Sequence, residues 1–262
     1  MWLLEEPDAY LCAMSLDGKR VNKFLSEAGF CSRRVADSLI EEGRVFINGE
    51  RATLGSRVDM ERDEVKVDGK TVGNRSTPHV YLAFNKPRGI ICTTDLRVKD
   101  NIIDYINYPT RIFPVGRLDK DSHGLILLTS DGDIMEPLLR ARYHHEKEYI
   151  VRVKKLIRPE FIRAMSKGVA ILDTMTLPCV VEPMSKDSFR IILTQGLNRQ
   201  IRRMCEALGY DVVSLKRVRV VNIHLDIPNG KWRHLRPEEL EALRGHLGLV
   251  DTGSDLADTW DD

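Results

Sequence analysis

The chain has 262 residues, 42% of them hydrophobic and 30% charged, which is enough to bury a core in one large domain or two unequal ones. Its apolar runs are far shorter than the roughly 20 residues of a membrane span, and acidic residues follow Trp2-Leu3-Leu4, so we expect neither a transmembrane helix nor a secretory signal. The net charge of +1 is unevenly spread: setting aside four negative charges in residues 1–18 and five in residues 251–262 leaves +10 for residues 19–250. We expect both acidic ends to be disordered extensions, and the basic body is compatible with a polyanionic partner.

The cysteines and histidines indicate a cytoplasmic protein without a metal site. The five cysteines are odd in number, widely scattered and without a C-x-x-C pair, as is typical of a reducing compartment. His144-His145 has no third ligand at a useful spacing, so surface or packing roles are favoured.

Residues 19–70 have the pattern of a compact module with two short helices and a hairpin. Apolar residues recur at helical spacing over residues 21–28, and Ser32 is a favourable N-cap for a second helix. A strand over residues 45–47 leads into Asn48-Gly49, which is a strong hairpin-turn signal. The module is therefore predicted to be a small α/β unit.

Basic residues cluster around these two helices. A solvated helical face would show the same charges, but Arg33 and Arg34 lie near a helix N-terminus, where backbone N–H groups can also face phosphate. The strings at residues 19–25, 32–36 and 45–49 together resemble the alpha-L RNA-binding domain of ribosomal protein S4. This resemblance implies RNA contact through Lys19, Arg20, Lys23, Arg33, Arg34 and Arg44.

Residues 71–78 are polar and aperiodic, so we interpret them as a linker to a larger domain over residues 79–250. Strand patterns occupy residues 80–84, 89–92, 112–115, 125–128, 147–153, 180–181 and 189–193. Three helical patterns are present: a short one that ends near Arg140, one over residues 159–167 and one over residues 196–208. Neither a long βαβ alternation nor a phosphate-binding glycine loop is present. The prediction is an α+β fold: the small N-terminal module, then a domain with a mostly antiparallel mixed sheet flanked by helices.

A charged loop, Gly116-Arg117-Leu118-Asp119-Lys120-Asp121-Ser122-His123-Gly124, lies between two of the predicted strands. Rigid flanks around a polar, glycine-bounded loop are a common way to hold a reactive group. A solvated surface turn would have the same composition, so the loop alone does not decide between the two interpretations.

The last predicted helix carries three arginines with different positions on the helical wheel. Its apolar residues cluster on one side, Arg199 and Arg203 lie opposite, and Arg202 lies at the boundary. A boundary arginine can reach into a neighbouring site, whereas Arg199 and Arg203 are equally compatible with phosphate binding or simple solvation.

Three segments together resemble the signatures of RsuA-type pseudouridine synthases, and most nearly the RluF branch that modifies large-subunit ribosomal RNA. They are residues 116–119 with 124–129, Lys147-Glu148-Tyr149, and residues 196–204. With the N-terminal module the resemblance spans about residues 19–245, while residues 1–18 do not match the family start. It implies an enzyme that isomerises a uridine already built into RNA.

The resemblance also implies roles for particular residues. Asp119 matches the catalytic aspartate, Arg117 the arginine that fills the gap left by a flipped base, Tyr149 the tyrosine that stacks on uracil, and Arg202 the partner of the aspartate. A stacked base must be flipped before its glycosidic bond can be reached, and an arginine nearby favours an ionised carboxylate. Whether Asp119 attacks the ribose, attacks the ring or deprotonates the sugar stays open.

The implied reaction is an isomerisation without net redox change or loss of a group, so we expect neither a cofactor nor a metal. The expected partner is structured RNA, either large-subunit ribosomal RNA or a pre-ribosomal particle, with transfer RNA as a further possibility, and the protein is expected to be a monomer. Two alternatives remain: an RNA N-glycosylase, which would release the base, and a non-catalytic RNA-binding factor in ribosome assembly.

Overall fold

The structure is a computed structural model, and it describes residues 18–73, 78–139 and 144–249. The predicted acidic tail and all of the predicted N-terminal extension except Gly18 lie outside the described residues, as do positions 74–77 of the linker. The chain divides into two compact units between residues 77 and 78. No helix in the described ranges is long and apolar enough to cross a membrane.

The N-terminal unit packs two helices against short strands, as its sequence pattern predicts. Ser32 begins the second helix by accepting a hydrogen bond from the Val35 backbone N–H at 3.2 Å. Asn48 and Gly49 both have left-handed backbones (φ 52° and 87°), which a tight turn between two strands requires. The elements are β1 (Lys19–Arg20), α1 (Val21–Glu27), α2 (Arg33–Glu41), β2 (Val45–Ile47), β3 (Glu50–Arg51), β4 (Arg57–Val58), β5 (Val65–Val67) and β6 (Lys70–Thr71). The strand order β3-β2-β5-β6 forms one sheet, and β1 pairs with β4.

The second unit is built on a nine-stranded mixed sheet in the order β13-β14-β10-β15-β9-β7-β17, with β16 beside β15 and β8 beside β9. Its elements are β7 (Tyr81–Lys86), α3 (Ile102–Ile106), β8 (Phe113–Val115), β9 (His123–Thr129), α4 (Met135–Leu139), β10 (Lys147–Val153), α5 (Pro159–Lys167), β11 (Ala170–Ile171), β12 (Thr174–Met175), β13 (Val180–Pro183), β14 (Ser188–Leu193), α6 (Gln200–Ala207), β15 (Val212–Val220), β16 (Ile223–His224), β17 (Trp232–His234) and α7 (Pro237–His246). In this sheet the β9–β15 ladder is parallel and the other ladders are antiparallel. The predicted α+β fold with a mostly antiparallel sheet is confirmed.

Two predicted elements differ from the structure. The strand expected at residues 89–92 is wrong, because a single isolated bridge, Ile91 to Asn101, takes its place. The Ile90 carbonyl instead accepts a hydrogen bond from the buried Lys86 ammonium at 2.8 Å. The helix expected to open at Gly196 begins at Gln200, because Arg199 has a left-handed backbone (φ 50°) that is incompatible with a helix interior.

Gly124 is placed where β9 and β15 run side by side, and its backbone is left-handed (φ 101°). A Cβ at this position would lie 2.2 Å from the Arg217 carbonyl oxygen, a backbone atom that cannot move without disturbing the ladder. We therefore expect Gly124→Ala to lower the free energy of unfolding by about 2–3 kcal/mol. Chemical denaturation measures this, with Gly245→Ala as the matched control, since a Cβ there would meet open space. Equal stability of Gly124→Ala and the unchanged protein would contradict the steric argument.

Candidate active site

A cavity of about 460 Å³ opens between the loop after β8, strand β10 and the start of α6. Its lining includes Arg117, Asp119, Tyr149, Arg199 and Arg202. The structure thus brings together all four residues for which the sequence resemblance implied a reaction role. Arg203 is not among the lining residues, and its guanidinium instead donates to the backbone carbonyl of Asn198 at 3.1 Å.

Two guanidinium groups face the Asp119 carboxylate. Its Oδ2 lies 3.7 Å from an Nη of Arg199 and 3.8 Å from Nε of Arg202. The Arg202 side chain is only 14% exposed and that of Arg199 is 44% exposed, so the two charges differ in how strongly water screens them. The approach of Arg199 was not predicted, because a helical wheel places it opposite the packed face, whereas its backbone is left-handed and outside the helix.

Arg202 also holds the loop that carries Asp119. Its guanidinium donates to the Asp121 carbonyl and to the Ser122 hydroxyl, each at 3.3 Å. Its Nε is buried and, among the described residues, has no hydrogen-bond partner. Burial, then the charge of Arg199, lowers the pKa of Arg202 from its ordinary value. A buried N–H left unpaired beside a carboxylate is typical of a site whose geometry tightens when substrate binds.

A buried lysine supports the same loop from below. Lys86 is fully buried at the end of β7, and its ammonium donates to the carbonyls of Pro87 and Ile90 at 2.9 and 2.8 Å. Burial lowers the pKa of Lys86. The segment that it fixes is bonded to the loop through the Gly89 N–H, which donates to the Lys120 carbonyl at 2.8 Å. These hydrogen bonds hold the loop that carries Asp119 in place. The sequence had suggested no role for Lys86.

Tyr149 gives the cavity an aromatic wall. It lies on β10 at the junction of two hydrophobic clusters, one under α5 and α6 and the other under α3. The ring is partly buried and therefore has packed apolar support on one side while it lines the cavity. Arg117 lines the same cavity from an exposed position in the loop. An aromatic face suited to a pyrimidine thus lies beside an ionisable carboxylate and an exposed arginine.

Comparison with known proteins assigns this architecture to a family. Residues 80–207 match the RNA pseudouridylate synthase family, and residues 19–65 match the S4 domain. The chain is 53% identical over 223 residues to the dual-specificity RNA pseudouridine synthase RluF of Escherichia coli (strain K12), a match covering 84% of this chain and 77% of that protein. This chain belongs to the RNA pseudouridine synthase family.

Two further comparisons agree that this synthase belongs to the RNA pseudouridine synthase family. The chain is 36% identical over 245 residues to the ribosomal large subunit pseudouridine synthase B of Bacillus subtilis (strain 168), covering 90% of this chain and 98% of that one. A crystal structure of a pseudouridylate synthase superposes with a TM-score of 0.63 at 29% identity, covering 86% of this chain and 99% of the other. The predicted RsuA-type family, its S4 domain and its RNA substrate class are confirmed.

Lys147 is a residue of the synthase cavity that sequence reasoning left without a role. It lies two positions before Tyr149 on β10, so both side chains are on the same face of the strand and both line the cavity. Its ammonium donates to the His145 carbonyl at 3.1 Å. Burial, then the neighbouring charge of Arg217, lowers the pKa of Lys147 to about 8. The spacing Lys-x-Tyr within a predicted strand was the available signal.

Replacing Lys147 by methionine is expected to stabilise the synthase while impairing it. Because folding lowers the pKa of Lys147 below its ordinary 10.5, the buried ammonium is destabilising at neutral pH. That cost declines as the pH rises above about 8, where the native ammonium begins to lose its proton. We expect Lys147→Met to raise the free energy of unfolding at neutral pH by on the order of 2 kcal/mol, and to lower turnover by about tenfold or more.

Denaturation curves at neutral and alkaline pH, together with turnover assays, measure both effects. Lys154→Met is the matched control, because Lys154 follows the same strand but is 68% exposed and paired with Asp211 at 3.5 Å. A stability gain that stayed constant across the alkaline range, or an unchanged turnover, would count against this account of Lys147.

The S4 domain carries the other six basic residues expected to bind RNA, and they fall into two groups. Three are in ion pairs within the domain: Lys19 and Lys23 with Glu27, at 2.5 and 3.6 Å, and Arg44 with Asp68 and Glu42, at 2.6 and 3.0 Å. The other three are exposed and, within the described part of the chain, have no acidic partner within 4 Å: Arg20, Arg33 and Arg34.

Nothing in the described ranges suggests a metal centre, since they contain no group of three or more His, Cys, Asp or Glu side chains that could hold an ion.

Proposed function

We propose that the synthase isomerises one specific uridine of large-subunit ribosomal RNA, as a monomer in the cytoplasm, with transfer RNA as a second substrate. The observation that carries the proposal is the Asp119 carboxylate, flanked by Arg199 and Arg202 in a cavity that Tyr149 also lines. The choice of RNA is supported by relatives named as a dual-specificity RNA pseudouridine synthase and as a large-subunit ribosomal pseudouridine synthase.

In the proposed reaction the target uridine leaves the RNA stack and enters the cavity. Arg117, exposed in the loop, occupies the vacated position in the stack, and Tyr149 supports the flipped uracil through its ring. Unstacking costs a few kcal/mol, which these contacts offset. Arg199 is exposed and directly precedes α6, and Arg203 is half-buried in the first turn of that helix; we propose that both charges attract the flanking phosphates.

Asp119 is the proposed chemical group. The bond between ribose C1′ and uracil N1 breaks, the base turns, and a bond between C1′ and C5 replaces it. The proton on C5 is lost and N1 gains one, so the nucleotide is isomerised with no atom left over. The carboxylate can serve as nucleophile or as base in this sequence, and Arg202 positions it in either case through the loop and through its own charge.

The test is to map pseudouridine by chemical labelling and primer-extension stops in RNA from cells with and without the gene. We expect one uridine of large-subunit RNA to lose its label-dependent stop in the deletion strain, and purified synthase to restore it on the unmodified RNA. Restoration without any release of free uracil separates the isomerase from an N-glycosylase. Identical stop patterns in the two strains, together with no modification in vitro, would overturn the proposal.

The S4 domain is proposed to supply much of the RNA affinity through its exposed arginines. The double variant Arg33→Gln, Arg34→Gln is expected to raise the Kd for substrate RNA by about tenfold and to reduce the slope of log K against log salt by about two. Binding titrations at several salt concentrations measure both quantities. Arg62→Gln is the control, because its side chain is 84% exposed in the same unit and it was not among the predicted contacts. An unchanged salt slope in the double variant would exclude phosphate contacts at these positions.

A further inference from the structure

A second cavity, of about 560 Å³, lies at the end of the sheet beside the catalytic loop. None of its lining residues lines the cavity of Asp119; they are Asn85, Pro87, Arg88, His123, Lys216 and Asn229. The strand register explains the separation. Lys216 pairs with His123, and Asn85 pairs with Leu125 two residues further on, so the three polar side chains share one face of the sheet. Arg217, opposite Gly124, belongs to the other face and to the Asp119 cavity.

Two residues that line this cavity each have a buried polar atom without a hydrogen-bond partner in the described ranges. Asn85 is 5% exposed, and while its amide nitrogen donates to the Ile227 carbonyl at 2.7 Å, its Oδ1 is unsatisfied. Nδ1 of His123 is also buried and unsatisfied. A buried polar atom without a hydrogen bond costs about 1–3 kcal/mol, so a ligand that donates to both atoms would be favoured at this cavity.

The same cavity is positively charged. Arg88 lies at its wall, where its guanidinium donates to the Val213 carbonyl at 3.0 Å, and Lys216 lines it from β15. Burial, then the charges of Arg88 and Lys216, lowers the pKa of His123 and so favours the neutral ring, while a hydrogen bond with the Leu215 backbone opposes this shift. A neutral histidine retains one nitrogen as an acceptor. No carboxylate is present among the described lining residues.

One nucleotide has the groups that this cavity would bind. Its phosphate can pair with the two cations, and the N–H groups of its base can donate hydrogen bonds to the two buried polar atoms. We propose that this cavity binds a second nucleotide of the substrate RNA, with its phosphate against Arg88 and Lys216 and its base donating to Asn85 and His123. Adenine, cytosine and guanine carry the amino group that this arrangement needs, whereas uracil does not. The inference rests on the proposed RNA substrate and adds a base read at a distance from the reacting uridine.

The position of the cavity connects such a nucleotide to the reaction. His123 directly follows the loop that carries Asp119, and Gly89, next to Arg88, donates its N–H to Lys120 of that loop at 2.8 Å. A nucleotide held here would therefore fix the loop from the face of the sheet opposite the Asp119 cavity.

The test uses synthetic RNA hairpins that contain the mapped uridine, with every other nucleotide made abasic in turn. For the unchanged synthase we expect one non-target position at which loss of the base raises the Kd by about tenfold. In His123→Phe the same abasic change should have less than about a twofold effect, since the acceptor that reads the base is gone. Arg88→Gln with Lys216→Gln should raise the Kd for the intact hairpin by about tenfold and reduce the salt slope by about one. Lys186→Gln, an exposed position outside both cavities, is the matched control for loss of charge.

The outcomes separate this inference from the proposed function. A synthase that modifies none of the hairpins fails the proposed function. A synthase that modifies the intact hairpin, but whose Arg88 and Lys216 double variant binds as tightly as the Lys186→Gln control, overturns the second nucleotide site. So does an abasic series in which every sensitive position responds equally in His123→Phe and in the unchanged protein. If thermal unfolding shows that His123→Phe does not fold, the double variant of Arg88 and Lys216 alone tests the second nucleotide site, through its response to the abasic hairpins and its salt slope.

Discussion

Asp119→Asn is expected to lower pseudouridine formation by about a thousandfold or more while changing the Kd for substrate RNA by less than about twofold. The amide has the size and shape of the carboxylate, so the cavity and the loop should keep their form. It can neither attack a carbon centre nor accept the proton that the reaction displaces. Arg199 and Arg202 remain in place at the cavity, so the positive charge that attracts RNA is preserved.

The release of tritium from RNA labelled at uridine C5 measures this reaction, because the C5 hydrogen leaves only when the new C–C bond has formed. Asp121→Asn is the matched control: Asp121 is in the same loop and exposed, but its side chain does not line the cavity. It should retain activity within about a factor of three. If Asp119→Asn released tritium as fast as this control, Asp119 would not be the chemical group.

The sequence predicted those elements whose own residues determine them. Strand β10 is rich in β-branched and aromatic residues and ends in the alternating Val151-Arg152-Val153, and helix α5 begins with Pro159, whose ring favours the first helical turn. Both were predicted with the bounds that the structure has. Strand β15 was not predicted, although it lies in the middle of the sheet. Its pattern is interrupted by Arg217, which is buried because its Nε donates to the Leu125 carbonyl at 2.6 Å. That partner is 92 residues away in sequence, so no local pattern could reveal it.

In the candidate site, too, some residues could be predicted from local sequence and others depend on contacts that are distant in sequence. Asp119, Tyr149 and Arg202 were brought together through motif resemblance, and the helical wheel independently left Arg202 able to reach a neighbouring site. Arg199 was missed because its approach to Asp119 depends on its own left-handed backbone just before the helix. Lys86 was missed for a different reason: the carbonyls that hold its ammonium belong to a loop whose path is set by tertiary structure. Local patterns identified the chemistry, whereas the supporting contacts required the fold.

Arg202 and Arg199 offer a matched pair for measuring what an arginine contributes beside Asp119. Their nitrogens are at nearly the same distance from the carboxylate, 3.8 and 3.7 Å, but Arg202 is 14% exposed and Arg199 is 44% exposed. Electrostatic interaction is strongest where water is excluded, so the buried guanidinium should matter more for the reaction. Arg202 also donates to Asp121 and Ser122 in the loop.

We expect Arg202→Met to lower kcat by about 10²- to 10³-fold, and Arg199→Met to act mainly on KM, with less than about a tenfold loss of kcat. Single-turnover and steady-state tritium release separate the two parameters. Arg202→Lys keeps the charge but not the planar guanidinium that reaches both loop oxygens, so it should recover only part of the loss. Full recovery by lysine would show that charge alone suffices and that the bonds to Asp121 and Ser122 are dispensable. Equal losses of kcat in the two methionine variants would contradict the prediction that the more buried Arg202 contributes more to the reaction than Arg199.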